Sequence, residues 1–235
     1  MSNNLLCSSI GKKLVMSITG GFLILFLLFH ATMNLVAVFS PEGYNAICHF
    51  LGANWYALAA SLILAGGFLI HILLSFALTL YNKKARGNQH YAKVVRPKEV
   101  LWASKNMLIL GFIIVGFIGL HLWQFWAKMQ LVEILGHHEV AIGGMLISPT
   151  DGASLIQYYF SNPCYSILYL VWFVALWYHL NHGFWSAFQT IGWNNQLWLP
   201  RLQCIGKLVA TYICFAFALV VIVFYIKSIM CGGAC

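Results

Sequence analysis

The sequence predicts an all-α integral membrane protein of five transmembrane helices, and three observations carry that reading. Of 235 residues, 61% are hydrophobic and only 8% charged, where a soluble domain carries about a quarter. Mean hydropathy is +0.82. Five apolar segments each exceed the roughly 20 residues a helix needs to cross a bilayer. The basic residues fall between those segments, on alternate connections.

The segments span about 14–39, 54–81, 104–128, 163–190 and 204–228. Each must be a helix, because an open strand in lipid leaves its backbone groups unpaired. Segment one is too long for a signal-peptide core and ends at no small-residue cleavage site, so it reads as a retained span. The chain reads as a single transmembrane domain over 1–235, with no internal repeat and no low-complexity stretch.

Charge placement sets the expected orientation. Lys12 and Lys13 precede segment one. Lys83, Lys84, Arg86, Lys93, Arg96, Lys98 and Lys105 join segments two and three, and Arg201 and Lys207 join four and five. Only Lys128 and Lys227 fall on the other side. The N-terminus is therefore expected in the cytoplasm and the C-terminus outside. Trp55, Tyr56, Trp123 and Trp126 suit outer boundaries; Tyr81, Trp102, Trp193 and Trp198 suit inner ones. The net charge of +8 forms no basic stripe with interleaved aromatics, so no nucleic-acid partner is expected. The outer connection from about 129 to 162 is long enough to fold over the bundle's mouth. Seven cysteines include no Cys-x-x-Cys pair, which argues against a zinc or iron–sulfur site within the chain.

Four histidines, His30, His71, His121 and His179, sit one per segment in the first four segments. An ionisable ring at that depth is costly and faces the bundle interior, where it has a function. His30 lies 17 residues after Lys13 and His121 lies 16 after Lys105; both are about 25 Å from the inner basic marks. His71 lies 12 residues before Lys83 and His179 lies 11 before Thr190, roughly 16–18 Å from theirs. Two levels result: an outer one with His30 and His121, and an inner one with His71 and His179. Two imidazoles on different helices suit the two axial positions of a haem b iron, so two haems b are expected within a bundle of the first four helices. Gly20, Gly21, Gly66, Gly67, Gly111, Gly116 and Gly119 would leave room for the macrocycles. Satisfied core histidines and a zinc site are the alternatives. His49, His90, His137 and His138 fall in loops, and His182 is placed either to meet a haem propionate or to reach toward the inner surface.

The local sequences resemble a known family. Segment one reads Thr19-Gly20-Gly21-Phe22-Leu23 and then Phe29-His30-Ala31-Thr32-Met33-Asn34-Leu35. Segment three reads Gly119-Leu120-His121-Leu122-Trp123-Gln124-Phe125-Trp126, and segment four reads Tyr178-His179-Leu180-Asn181-His182-Gly183-Phe184-Trp185. With these motifs the chain resembles the single-chain, di-haem cytochrome b membrane subunit of succinate dehydrogenase/fumarate reductase, the b558 family of succinate:quinone oxidoreductases. The resemblance implies that His30, His71, His121 and His179 ligate haem iron. It implies a flavoprotein partner with FAD, which holds the dicarboxylate site, and an iron–sulfur partner with iron–sulfur clusters. It implies exchange of electrons with a quinone, menaquinone in this class, and a multi-pass place in a bacterial cytoplasmic (inner) membrane. Residues 82–105 are the expected docking surface for the partners. Some relatives carry a Glu two residues before the fourth ligand; here Trp177 stands there. Relatives also use an acid near the outer end of helix two for quinol protons, and Glu42 is the nearest candidate, with His49 another. A cytochrome b subunit of a hydrogenase or formate dehydrogenase, and a haem-free anchor or transporter, are the alternative functions.

Overall fold

The computed structural model describes residues 8–86, 102–193, 195–230 and 232. His90, Cys7, Cys231, Cys235 and most of the basic 82–105 connection lie outside the described residues. Among the described residues, five helices are long and apolar enough to cross a membrane.

Helix α1 (Ser9–Phe39) starts at Ser8, whose Oγ accepts from the Gly11 amide at 3.0 Å. Ser40 both ends α1 and begins α2 (Pro41–Phe50). Its amide donates to the Val36 carbonyl, and its Oγ accepts from the Gly43 amide. Pro41 fits the first helical position, where no amide is needed. The chain then forms α3 (Trp55–Arg86) and α4 (Trp102–His121). Helix α4 continues into a π-helical segment, Leu122–Trp126, in which the Ala127 amide donates to the Leu122 carbonyl at 2.8 Å. After α5 (Gln130–Ile134) comes a hairpin of β1 (Val140–Ile142) and β2 (Met145–Ile147), paired antiparallel with Val140 opposite Ile147. Gly143 and Gly144 turn it with φ of +60° and +86°, the left-handed pair that a two-residue hairpin loop requires. Helices α6 (Gly152–Phe160), α7 (Pro163–Thr190) and α8 (Trp198–Met230) complete the chain.

Helix α8 packs along α7 and α1; α1 also packs on α3 and α7, and α4 packs on α7. The core therefore lies among α1, α7 and α8. Ala31 and Ala37 of α1 and Ala210 and Ala216 of α8 are sealed, the small residues that let apolar helices approach closely. By contrast α3 is the outlying span. It lies along α1 and has no comparable seam with α4, α7 or α8. Leu62, Leu69, Leu73 and Leu80 are exposed along it, as side chains facing lipid would be.

The connections differ from the expected loops. Glu42 and His49 are not in a loop: they occupy the first and last turns of α2, where an acid and a base complement the helix dipole. The connection 129–162 is built of α5, the hairpin and α6 rather than irregular chain. Asp151 caps α6 by accepting from the Ser154 amide, and it also accepts from Asn45 of α2 at 2.7 Å. The Asn45 side-chain carbonyl in turn accepts from the Ala153 amide at 2.9 Å, so α2 and α6 are locked together. Gln130 ties the same end to α3. Its Oε1 accepts from Ser61 and Trp126, and its Nε2 donates to the Gly52 carbonyl.

Candidate functional site

The four intramembrane histidines meet in two pairs. His30 of α1 faces His121 at the end of α4, with ring centroids 5.9 Å apart and planes at 81°. His71 of α3 faces His179 of α7, with centroids 6.5 Å apart and planes at 67°. The pairs are offset along the bundle. His71 meets α1 beside Gly20 and lies 3.3 Å from the Thr19 hydroxyl. Gly20 precedes His30 by ten residues, about 15 Å of helix rise. On α7, Tyr169 rings the His121 side at 6.3 Å and stands ten residues before His179, which gives a similar offset.

Each pair can be tested as a metal centre from its own geometry. Two imidazoles that ligate one iron from opposite sides place their centroids about 6 Å apart, given metal–nitrogen bonds of about 2 Å. The observed separations of 5.9 and 6.5 Å bracket that value. Among the described residues no third His, Cys, Asp or Glu joins either pair to complete a conventional metal site. A metal held there must bring its remaining ligands with it, as a haem iron does. The buried Nδ1 atoms of His121 and His179 have no hydrogen-bond partner, a cost that a satisfied core histidine would not carry. The residues present fit a haem better than a bare ion. Beside Gly21, Gly66, Gly111, Gly116 and Gly119 an added methyl would meet nothing within 4 Å, whereas Gly20 and Gly67 are filled by His71 and Phe22.

No family model, curated protein or solved structure matches this chain. What the site can do rests on its own geometry.

Around His30 the structure adds residues that sequence reasoning did not assign. Asn34 donates to the His30 carbonyl at 2.8 Å and lies 3.3 Å from its Nδ1. The Tyr44 hydroxyl of α2 donates to the Asn34 Oδ1 at 3.0 Å. Phe26 stacks on His30 from one turn before, and Phe217 of α8 packs 5.6 Å from it. The fifth span therefore walls this pair. Beside His121, Gln124 is sealed at 1% exposure, and its Oε1 accepts from the Tyr169 hydroxyl at 2.7 Å. The readable signal was a lone Gln inside an apolar run; the π-helical turn that buries it has no sequence signature.

The other expected residues do not join either pair's ring contact. His182 packs edge-on to Trp185 at 4.9 Å, with a buried Nδ1 lacking a partner. Glu42 is within 3.5 Å of the Ser40 hydroxyl, and His49 contributes its carbonyl to Asn54. Trp177 donates its indole N–H to the Thr211 hydroxyl of α8 at 3.0 Å, so an indole tie occupies the position discussed for an acid. At the capped end, burial pushes the Cys48 thiol of α2 up to about 11, and it raises the neighbouring Tyr44 hydroxyl as well. Cys48, Cys164, Cys204 and Cys214 are all free thiols.

Proposed function

We propose that the chain is a di-haem cytochrome b membrane anchor of a succinate:quinone oxidoreductase, passing electrons between peripheral redox subunits and a quinone. The observation that carries this is the pairing itself: two His–His pairs, each built from two different helices, at two levels, with no further protein ligand among the described residues. Haem b held at each pair supplies reversible one-electron transfer through an apolar interior.

The protein's part is to hold and insulate. His30 and His121 would hold one group and His71 and His179 the other, each ring projecting from a separate helix. Asn34 and Tyr44 fix the His30 backbone and ring, which keeps a ligand oriented and tunes its basicity. Phe26, Phe217 and Trp172 keep water from the His30–His121 pair. A quinone takes two electrons and two protons, and menaquinone is the expected member of that class. The chain holds few charged residues for its length, and its basic ones fall on the connections as orientation marks rather than as a binding site. The dicarboxylate site with its FAD therefore belongs to a flavoprotein partner, reached through an iron–sulfur subunit docked on the cytoplasmic side. The lopsided basic residues support an N-terminus inside and a C-terminus outside, and the family resemblance implies a bacterial inner membrane.

The test is the reduced-minus-oxidised absorption spectrum of the purified full chain, with pyridine haemochrome quantitation. Two haems b per chain are expected. A folded, full-length chain without a b-type α-band would refute the reading. Co-purification with a flavoprotein rather than a hydrogenase identifies the complex.

A further inference from the structure

His71 leans on two residues of α1, Thr19 and Gly20, that have no part in the ring contacts themselves. Thr19 is buried, and its hydroxyl donates back to the carbonyls of Val15 at 2.9 Å and Met16 at 3.1 Å. That is the ordinary bond of a threonine inside a helix. It commits the hydroxyl proton to the backbone of α1. What the oxygen presents to α3 is a lone pair.

His71 Nδ1 lies 3.3 Å from that oxygen. An oxygen whose proton is already engaged pairs with a ring nitrogen that carries one. Nδ1 is therefore the protonated nitrogen of His71, and Nε2 keeps the free lone pair. Gly20 makes the approach possible. A Cβ there would lie 3.4 Å from His71 Cε1 and 3.8 Å from Nδ1, so this edge of the ring rests against bare helix backbone. With Nδ1 held on α1, Nε2 is the nitrogen left for a metal between His71 and His179, whose ring centroids are 6.5 Å apart.

The facing ring has no such control. His179 Nδ1 is buried without a hydrogen-bond partner. Within this pair, only His71 has its tautomer and ring plane fixed by a neighbour. We propose that Thr19 is a positioning residue for the inner centre, its hydroxyl accepting from His71 Nδ1–H and so selecting Nε2 as the iron-ligating nitrogen and setting the plane of that imidazole. The proposal deepens the electron-relay reading and rests on it. A ligating imidazole whose other N–H is hydrogen-bonded is more basic, and stronger donation favours ferric iron. Thr19 thus lowers the potential of the inner haem below that of a centre with two bare imidazoles.

The experiment uses the full chain in lipid nanodiscs. Haem content is read from the α-band, midpoint potentials from a redox titration, and the largest g value of each ferric haem from electron paramagnetic resonance, which follows the angle between the two imidazole planes. The inner haem's signal is the one that His179→Ala removes. Thr19→Val keeps the shape and loses the acceptor. It should retain two haems and shift the inner haem's equilibrium about fivefold toward the ferrous state, the worth of one hydrogen bond and roughly 40 mV upward at 59 mV per tenfold. The inner g value should move with it, and the outer haem should stay as in the parent. Thr19→Ser, which restores the hydroxyl, should match the parent in both readouts. If Thr19→Val is not recovered folded, Thr19→Ala against Thr19→Ser decides on the same readouts. A two-haem Thr19→Val chain with parental potentials and g values overturns the role of Thr19 alone. Equal shifts in Thr19→Val and Thr19→Ser also overturn it, because packing rather than the hydroxyl would then be the cause. A folded parent chain without an α-band overturns the electron-relay reading, and the positioning role with it.

Discussion

Asn34 donates a 2.8 Å hydrogen bond to the carbonyl of His30, one turn behind it, while Tyr44 from α2 holds the other end of the same amide. A ring at one level of the bundle is thereby tied to a helix outside the spans. Asn34→Ala removes both links. On the di-haem reading it should shift the midpoint potential of one haem and leave the other in place, as seen in a redox titration by absorption. Tyr44→Phe should move the same potential by less. Equal shifts of both haems would contradict the local role. The cost in stability should be about 1 kcal/mol for each lost hydrogen bond.

The pairing predicts a pattern among double variants. His30→Ala with His121→Ala should cost one haem, because both changes fall on the same centre. His30→Ala with His71→Ala should cost two, although the number of histidines removed is the same. Haem-to-protein ratios by pyridine haemochrome distinguish the cases. A loss of both haems from the first variant would mean that the centres are not independent.

Gly152 starts α6 against α2, where an added Cβ would lie 2.6 Å from Cys48 Sγ and 2.8 Å from the Tyr44 ring. Gly152→Ala should destabilise the capped end by roughly 1–3 kcal/mol through overpacking. Gly111→Ala, where nothing lies within 4 Å, should cost little in the haem-free chain. Thermal unfolding followed by circular dichroism in detergent provides the comparison.

Cys48 offers a pH test. Burial raises its thiol to about 11 from an ordinary value of 9.0. At pH 9 an ordinary thiol is half ionised, whereas this one is ionised to roughly one part in a hundred. Iodoacetamide should therefore label Cys48 slowly at pH 9 and accelerate as pH rises toward 11, with the exposed Cys164 modified first. Peptide mass spectrometry reads the order, and rapid labelling of Cys48 at pH 8 would contradict its buried, protonated state.

The spans were legible because hydrocarbon solvent leaves few choices: long apolar runs must be helices. All five kept their expected cores, and α8 begins earlier, at Trp198, because Pro200 falls in its first turn and does not interrupt it. The meeting of His30 with His121, and of His71 with His179, was legible from rise per residue counted from the ends of the segments, with the basic residues as depth marks. Glu42 and His49 were misplaced because a short amphipathic helix beside a span resembles a polar loop in sequence. What could not be read was lateral packing. Nothing in the pattern of α8 announces that Phe217 walls His30, since a uniformly apolar helix carries no face to orient it. Gln124 is one polar residue in an apolar run, and its burial depends on a π-helical turn and on Tyr169, which is 45 residues away.

Helix α3 is held chiefly along α1, and its His71 waits for a partner on α7. In a chain inserted from its N-terminus, the His30–His121 centre has both its rings once the third span is in place. The His71–His179 centre gains its second ring only with the fourth. On the di-haem reading, one pair would be complete for its cofactor while the other is still half made. Helix α8, arriving last along α1 and α7, closes the assembly behind them.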